Sequence, residues 1–91
     1  MPNETVSFKE QYERLTKWQD RATLIGLYHT AKCMQIPGWR VLDTAAYFEV
    51  SIGLVSEDIR LGKELDSNPK LAKIETREKA VGMIERKLRG M

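Results

Sequence analysis

A stripe of apolar side chains near the N-terminus recurs at steps of three and four residues, and this spacing restricts that part of the chain to α-helix. The stripe consists of Phe8, Tyr12, Leu15, Trp18, Ala22, Ile25 and Tyr28. Side chains at these steps share one face of a helix, whereas a strand alternates apolar and polar residues. Because no segment of the 91 residues shows that alternation, the sequence predicts a small all-α domain.

Two breaks divide the chain into three helical segments of a single domain. Pro37-Gly38 is a strong turn signal, and Asn68-Pro69 ends one helix and can begin another, because proline suits a first helical position. Residues 1–6 are expected to be a short lead-in. The predicted segments are an N-terminal long helix or helix pair at 7–35, two short helices at 40–65 and C-terminal helices at 69–90.

The N-terminal segment has a clear start but two possible courses. Ser7 and Glu10 have the spacing of a capping box, in which a hydroxyl and a carboxylate bind free backbone N–H groups. From there one long helix could run almost to Pro37, since no proline interrupts it. Alternatively, two helices meet near Asp20, which could cap the second. The sequence leaves both courses open.

The central segment, residues 40–65, has the spacing of a helix-turn-helix. Two helices that cross steeply through a short turn approach closely, and the small side chain of Ala45 permits this. Val50 can plug the turn, and Val55 and Ile59 lie one turn apart on the underside of the second helix. The opposite side is polar and fits the major groove of DNA; its residues are Gly53, Ser56, Glu57, Arg60, Lys63 and Glu64.

This segment resembles the helix-turn-helix of phage and plasmid regulators, and it is most similar to that of ParB-type partition proteins and related phage-encoded proteins. The residues that carry the resemblance are Trp39, Asp43, Thr44, Ala45, Val50, Ser51, Val55, Ser56, Asp58, Ile59, Arg60, Leu61, Asn68, Pro69 and Leu71. The match covers about residues 39–80. Glu49 departs from the pattern, because this turn position usually holds glycine, which adopts left-handed backbone geometry freely.

The resemblance implies sequence-specific binding of double-stranded DNA, as a transcriptional regulator or as a partition or excision accessory factor. The base-reading candidates, carried over from the family motif, are Ser51, Ile52, Gly53, Ser56, Glu57 and Arg60. Arg60 is the strongest, because a guanidinium can bind guanine with two hydrogen bonds. The phosphate candidates are Arg40, Thr44 and Lys63. Salt bridges of Arg60 with Glu57 and Glu64 are the alternative use of these side chains.

Regulators of this kind usually pair two units at half-sites one DNA turn apart. A long N-terminal helix would exceed what is needed to cover a small core, leaving the Phe8–Trp18 end of the stripe exposed. We therefore expect a homodimer or larger assembly through the N-terminal helix. The alternative is that this helix breaks near Asp20 and that both halves are buried in one monomer.

The net charge of +2 is too small to indicate nucleic acid by itself. A helical protein–protein interaction module with the same core therefore remains the alternative function. His29 and Cys33 have the i, i+4 spacing of a metal pair, but two ligands are too few for a structural zinc site. We expect Cys33 to be a small buried thiol, and we predict neither a metal nor a cofactor.

The sequence predicts neither an enzyme nor a membrane protein. It has no nucleophile motif, no glycine-rich phosphate loop and no clustered carboxylates on one face, so no small-molecule substrate is expected. No apolar stretch is long enough to span a membrane, and the N-terminus lacks the pattern of a secretory signal. The single cysteine fits a reducing compartment, and we expect a cytoplasmic protein.

Overall fold

The computed structural model describes residues 7–90, except for the side chains of Lys87 and Leu88. Over this range the chain is all-α, as predicted, and contains no strand. Its elements are α1 (Phe8–Arg14), α2 (Trp18–Gln35), α3 (Val41–Phe48), α4 (Ile52–Ser67), a 3-10 helix (Pro69–Lys73) and α5 (Arg77–Arg89). The lead-in predicted at residues 1–6 lies outside the described residues. None of the described helices is long and apolar enough to cross a membrane.

The N-terminal segment is a pair of helices, and the break lies one turn earlier than the predicted position at Asp20. The capping box at the start of α1 is confirmed, because the Ser7 hydroxyl accepts from the backbone N–H of Glu10 at 3.2 Å and the Glu10 carboxylate accepts from that of Ser7 at 3.3 Å. α2 follows Lys17, which makes no side-chain cap. The guanidinium of Arg21 donates to the Leu15 carbonyl at 2.8 Å and ties the link to α2.

The break returns α1 onto the body of the same chain. The rings of Tyr12 and Phe48 lie 5.2 Å apart, and those of Phe8 and Tyr28 lie 5.3 Å apart. The α2 part of the stripe, from Trp18 to Tyr28, is buried. The α1 part is covered less completely, because Phe8 is 40% exposed and Tyr12 is only half-buried. The early break lets α1 pack partly against its own chain, and assembly through the N-terminal helix stays a prediction.

The core consists of two clusters that meet along α2 and α4. The first joins α2, α3 and the start of α4 and contains Ile25, Tyr28, Ala45, Phe48 and Val55. The second joins α2, α4, the 3-10 helix and α5 and contains Trp18, Ala22, Leu61, Leu71, Ala80 and Ile84. Full burial of one large apolar side chain contributes about 1.5–3 kcal/mol. One face of α4 is therefore anchored along most of its length.

α2 and α4 approach each other closely at Gly62. A Cβ atom at this position would lie 3.4 Å from the Ala22 carbonyl oxygen, in van der Waals contact with the backbone of α2. The indole of Trp18, on the same side of α2, donates to the Ile74 carbonyl at 2.7 Å. These contacts set α4 against α2 and hold the segment after the 3-10 helix.

A three-residue link joins α3 to α4, and its first residue has left-handed geometry. Glu49 has φ 59° and ψ 46°, so this position adopts the conformation for which glycine is usually selected. The next N–H, that of Val50, donates to the Ala45 carbonyl at 3.0 Å. Ser51 then caps α4, because its hydroxyl accepts from the N–H of Leu54 at 3.0 Å. Glu49 thus carries a backbone cost that glycine would avoid.

Candidate nucleic-acid interface

The face of α4 opposite the core is exposed along the length of the helix. The buried residues of α4 are Val55, Asp58 and Leu61, on the side that faces the core, while Ile59 is half-buried. Of the predicted base-reading and phosphate residues, the exposed ones on α4 and its cap are Ser51, Ile52, Gly53, Ser56, Arg60 and Lys63. Glu57 is half-buried at one edge of this face. The structure thus brings most of the predicted contact residues onto one surface.

Two cations on this face have no ion-pair partner among the described side chains. The salt bridges between described residues involve Lys9 with Glu49 and Arg77 with Glu57 and Asp58, and none includes Arg60 or Lys63. The alternative pairing of Arg60 with Glu57 is therefore wrong, because Glu57 is bound to a different cation. The guanidinium of Arg60 and the ammonium of Lys63 are available to an outside partner.

Two adjacent acids of α4, Glu57 and Asp58, are held by Arg77, which begins α5. The Arg77 guanidinium donates to an Asp58 oxygen at 2.8 Å, to Glu57 Oε1 at 2.5 Å and, more weakly, to the Leu54 carbonyl at 3.4 Å. Asp58 is almost completely buried, whereas the side chain of Glu57 is 41% exposed. Arg77 therefore offsets part of the negative charge next to the exposed face and fastens α5 to the first turns of α4.

Burial raises the pKa of the Asp58 carboxyl above its ordinary value, although the hydrogen bond and charge of Arg77 oppose the shift. For Arg77, burial acts to lower the pKa, but the hydrogen bonds and charges of Asp58 and Glu57 outweigh it and hold the pKa above its ordinary range. Both pKa values are raised because Arg77 lies nearer to water and has two acidic partners, whereas Asp58 lies deeper and is repelled by the neighbouring charge of Glu57.

Of the phosphate candidates outside α4, the structure removes one. Thr44 is fully buried, and its hydroxyl oxygen lies 2.7 Å from His29 Nδ1 and 2.9 Å from the indole nitrogen of Trp39, which donates to it. A phosphate cannot reach that hydroxyl, so the predicted contact at Thr44 is wrong. Arg40 is exposed at the start of α3, where its backbone N–H donates to the Asp43 carboxylate at 2.9 Å.

The expectation of a buried thiol at Cys33 is also wrong. Cys33 is exposed, and its sulfur lies 3.4 Å from His29 Nε2. It projects from the last turns of α2, where that helix has passed beyond the core. No group of three metal-ligating side chains occurs among residues 7–90.

Arg77 is the residue of this region that sequence reasoning missed. A signal was present in α4, because Asp58 lies between Leu54 and Leu61 on the buried side of that helix. A carboxylate at such a position requires a buried cation. No cation within α4 shares that side, so the partner had to come from another element. Only the fold shows that it comes from α5.

Compared with known proteins, the chain matches no family model, no curated protein and no solved structure.

Proposed function

We propose that this protein binds double-stranded DNA in a sequence-specific manner, with α3, the Glu49–Ser51 link and α4 acting as a helix-turn-helix. The observation that carries the proposal is the two-sided character of α4. One face is anchored in both core clusters, while the opposite face is exposed and bears Ser56 together with Arg60 and Lys63, which form no ion pair with another described residue. A rigidly held helix with a polar, cationic outer face fits the major groove.

The exposed side chains have the donor and acceptor chemistry that base reading requires. Arg60 can donate two hydrogen bonds to guanine O6 and N7, a contact that discriminates against other bases by about 1–3 kcal/mol. The Ser51 oxygen already accepts from α4, so its hydroxyl hydrogen is free to donate to a base or phosphate. Ile52, which is 55% exposed, can contact a thymine methyl group. Arg40 and Lys63 supply charge to phosphates.

The biological role proposed is that of a transcriptional regulator, or of a partition or excision accessory factor, of a phage or plasmid. This part of the proposal rests on the resemblance of residues 39–80 to the helix-turn-helix of ParB-type partition proteins. The left-handed geometry at Glu49 supports it, because the family motif usually places glycine at that turn position for the same backbone conformation.

The test is selection of bound duplexes from a random pool, followed by titration of the enriched duplex at several salt concentrations. We expect one enriched motif. We also expect log Kd to rise with log salt with a slope of about 2 for each bound chain, since Arg40 and Lys63 would neutralise phosphates and displace counterions. Binding that enriches no motif would contradict the proposal. One unit reads few base pairs, so we expect two half-sites about one DNA turn apart.

A specific observation favours the alternative, a helical protein–protein interaction module. A groove of about 190 Å³ lies between α2 and α4, next to Lys63, and is lined in part by Leu27 and Ile59. Leu27 is 61% exposed and Leu42 is 42% exposed. An apolar groove binds a protein helix through buried area, and such binding depends only weakly on salt. The dependence of Kd on salt therefore distinguishes the two functions. It should be steep for binding to DNA and weak for binding of a protein partner.

A further inference from the structure

Glu57 occupies an unusual position at the edge of the exposed face of α4. One carboxylate oxygen, Oε1, accepts from Arg77 at 2.5 Å, while the side chain as a whole is 41% exposed. No hydrogen bond to the other oxygen, Oε2, is found among the described residues. Glu57 precedes Arg60 by three positions, so the two side chains lie near each other on the helix surface. An acceptor and a donor are thus presented together.

Arg77 fixes the direction of this carboxylate. Its guanidinium binds Asp58, Glu57 and the Leu54 carbonyl at once, and only 22% of its side chain is exposed. A planar guanidinium held by three acceptors has little rotational freedom, so the carboxylate that it binds is also restricted. Arg77 shares its single charge between Glu57 and Asp58, so it offsets part of the charge of Glu57 and reduces the repulsion that an unpaired acid would exert on DNA phosphates.

On the basis of the proposed function, we propose that Glu57 reads a cytosine in the bound DNA and that Arg77 is the residue that positions it. The free carboxylate oxygen accepts from the N4 amino group of cytosine in the major groove. Adenine also presents an amino group there, but its neighbouring N7 acceptor repels a carboxylate. The target site therefore contains a cytosine close to the guanine read by Arg60.

The first test is duplex selection with Glu57→Gln. Glutamine has nearly the same shape, and its amide oxygen still accepts from Arg77, while its NH₂ group adds a donor. Because an amide can bind adenine N6 and N7 together, we expect the preferred base at one position to change from cytosine to adenine, with a change in relative affinity of about tenfold.

Glu78→Gln is the matched control, because Glu78 is exposed on α5 and loses the same charge. It should raise affinity slightly for all duplexes and leave the motif unchanged. If Glu57→Gln also leaves the motif unchanged, Glu57 does not read a base, although a motif enriched by the wild-type protein would still uphold DNA binding. If the wild-type protein enriches no motif, the proposed function fails, and this inference fails with it.

The positioning role of Arg77 needs a variant that folds without a buried, unpaired acid. In the double variant Arg77→Met with Asp58→Asn, we expect the cytosine preference to fall by about tenfold while the preference at the Arg60 position is kept. Arg77→Lys, which keeps the positive charge, should retain part of the cytosine preference. A double variant that melts earlier but selects the wild-type motif would show that Arg77 is structural only, and the positioning role would be wrong.

Discussion

Replacing Arg77 with methionine tests the energetic link between α4 and α5. Methionine keeps much of the apolar volume of the arginine stem but removes the guanidinium that binds Asp58 and Glu57. Asp58 is 2% exposed and would then be a buried carboxylate without a counter-charge. The single variant Arg77→Met should therefore destabilise the whole fold, because Asp58 lies between Leu54 and Leu61, where α4 meets the rest of the chain.

The magnitude follows from the burial of the pair. Removing one partner of a buried ion pair costs about 3–5 kcal/mol. Here Arg77 is 22% exposed, so water screens part of the pair, and Asp58 can bind a proton to escape the charge. We expect a loss of about 2–3 kcal/mol in the free energy of unfolding at pH 7. In a domain of this size that corresponds to a fall in Tm of roughly 10–20 °C.

The effect should depend on pH in a direction set by Asp58. Its pKa is raised by burial, so the folded state binds this proton more tightly than the unfolded state does. The contribution of Asp58 to stability is therefore most favourable at low pH and is lost as pH rises from its unfolded pKa through its folded pKa. Without Arg77 the pKa of Asp58 in the folded state rises further, so its contribution to stability continues to fall up to a higher pH.

The assay is urea unfolding of four proteins at several pH values between 4 and 8, monitored by circular dichroism. The proteins are the wild type, Arg77→Met, Asp58→Asn and the double variant. Asp58→Asn should restore about 1–2 kcal/mol to Arg77→Met at pH 7, because a neutral amide needs no counter-charge. Asp58→Asn should also remove the additional pH dependence of stability that Arg77→Met introduces. Equal stability of Arg77→Met and the wild type at pH 7, or no rescue by Asp58→Asn, would refute this account of the pair.

Three further predictions concern the interface and its supports. Arg60→Ala should weaken binding by about 1–3 kcal/mol and relax one base preference, whereas Lys63→Ala should weaken all sequences equally and lower the salt slope by about one; equal losses on every duplex would make Arg60 a phosphate contact. Thr44→Val should lower the free energy of unfolding by about 1–2 kcal/mol, because it leaves the Trp39 indole without its acceptor. The folded variant should keep its DNA affinity, and a loss of affinity without a loss of stability would show that Thr44 contacts DNA. Glu49→Val should destabilise by about 1–2 kcal/mol in urea unfolding, because a β-branched residue resists left-handed geometry, while Glu49→Gly should be tolerated.

Residues that act through local spacing were predicted well. Ser7 and Glu10 cap α1, and Ser51 caps α4, because a cap involves only neighbouring backbone groups. The exposed face of α4 was also predicted, since helical periodicity separates Arg60 and Lys63 from the anchors Val55 and Leu61. The prediction for Thr44 was wrong because its burial and its hydrogen bond with His29 depend on how α3 packs against α2, which the spacing of residues within α3 does not record.

The sequence by itself determined the helical class, the capped starts of α1 and α4, and the division of α4 into an apolar and a polar face. These depend on interactions within about one helical turn, which residue spacing records directly. Tertiary structure alone decided that α1 folds back onto Phe48 and Tyr28, and that Arg77 rather than Arg60 binds Glu57. The physical reason is that such contacts join residues separated by many helical turns, and their energies depend on burial that only the assembled core creates.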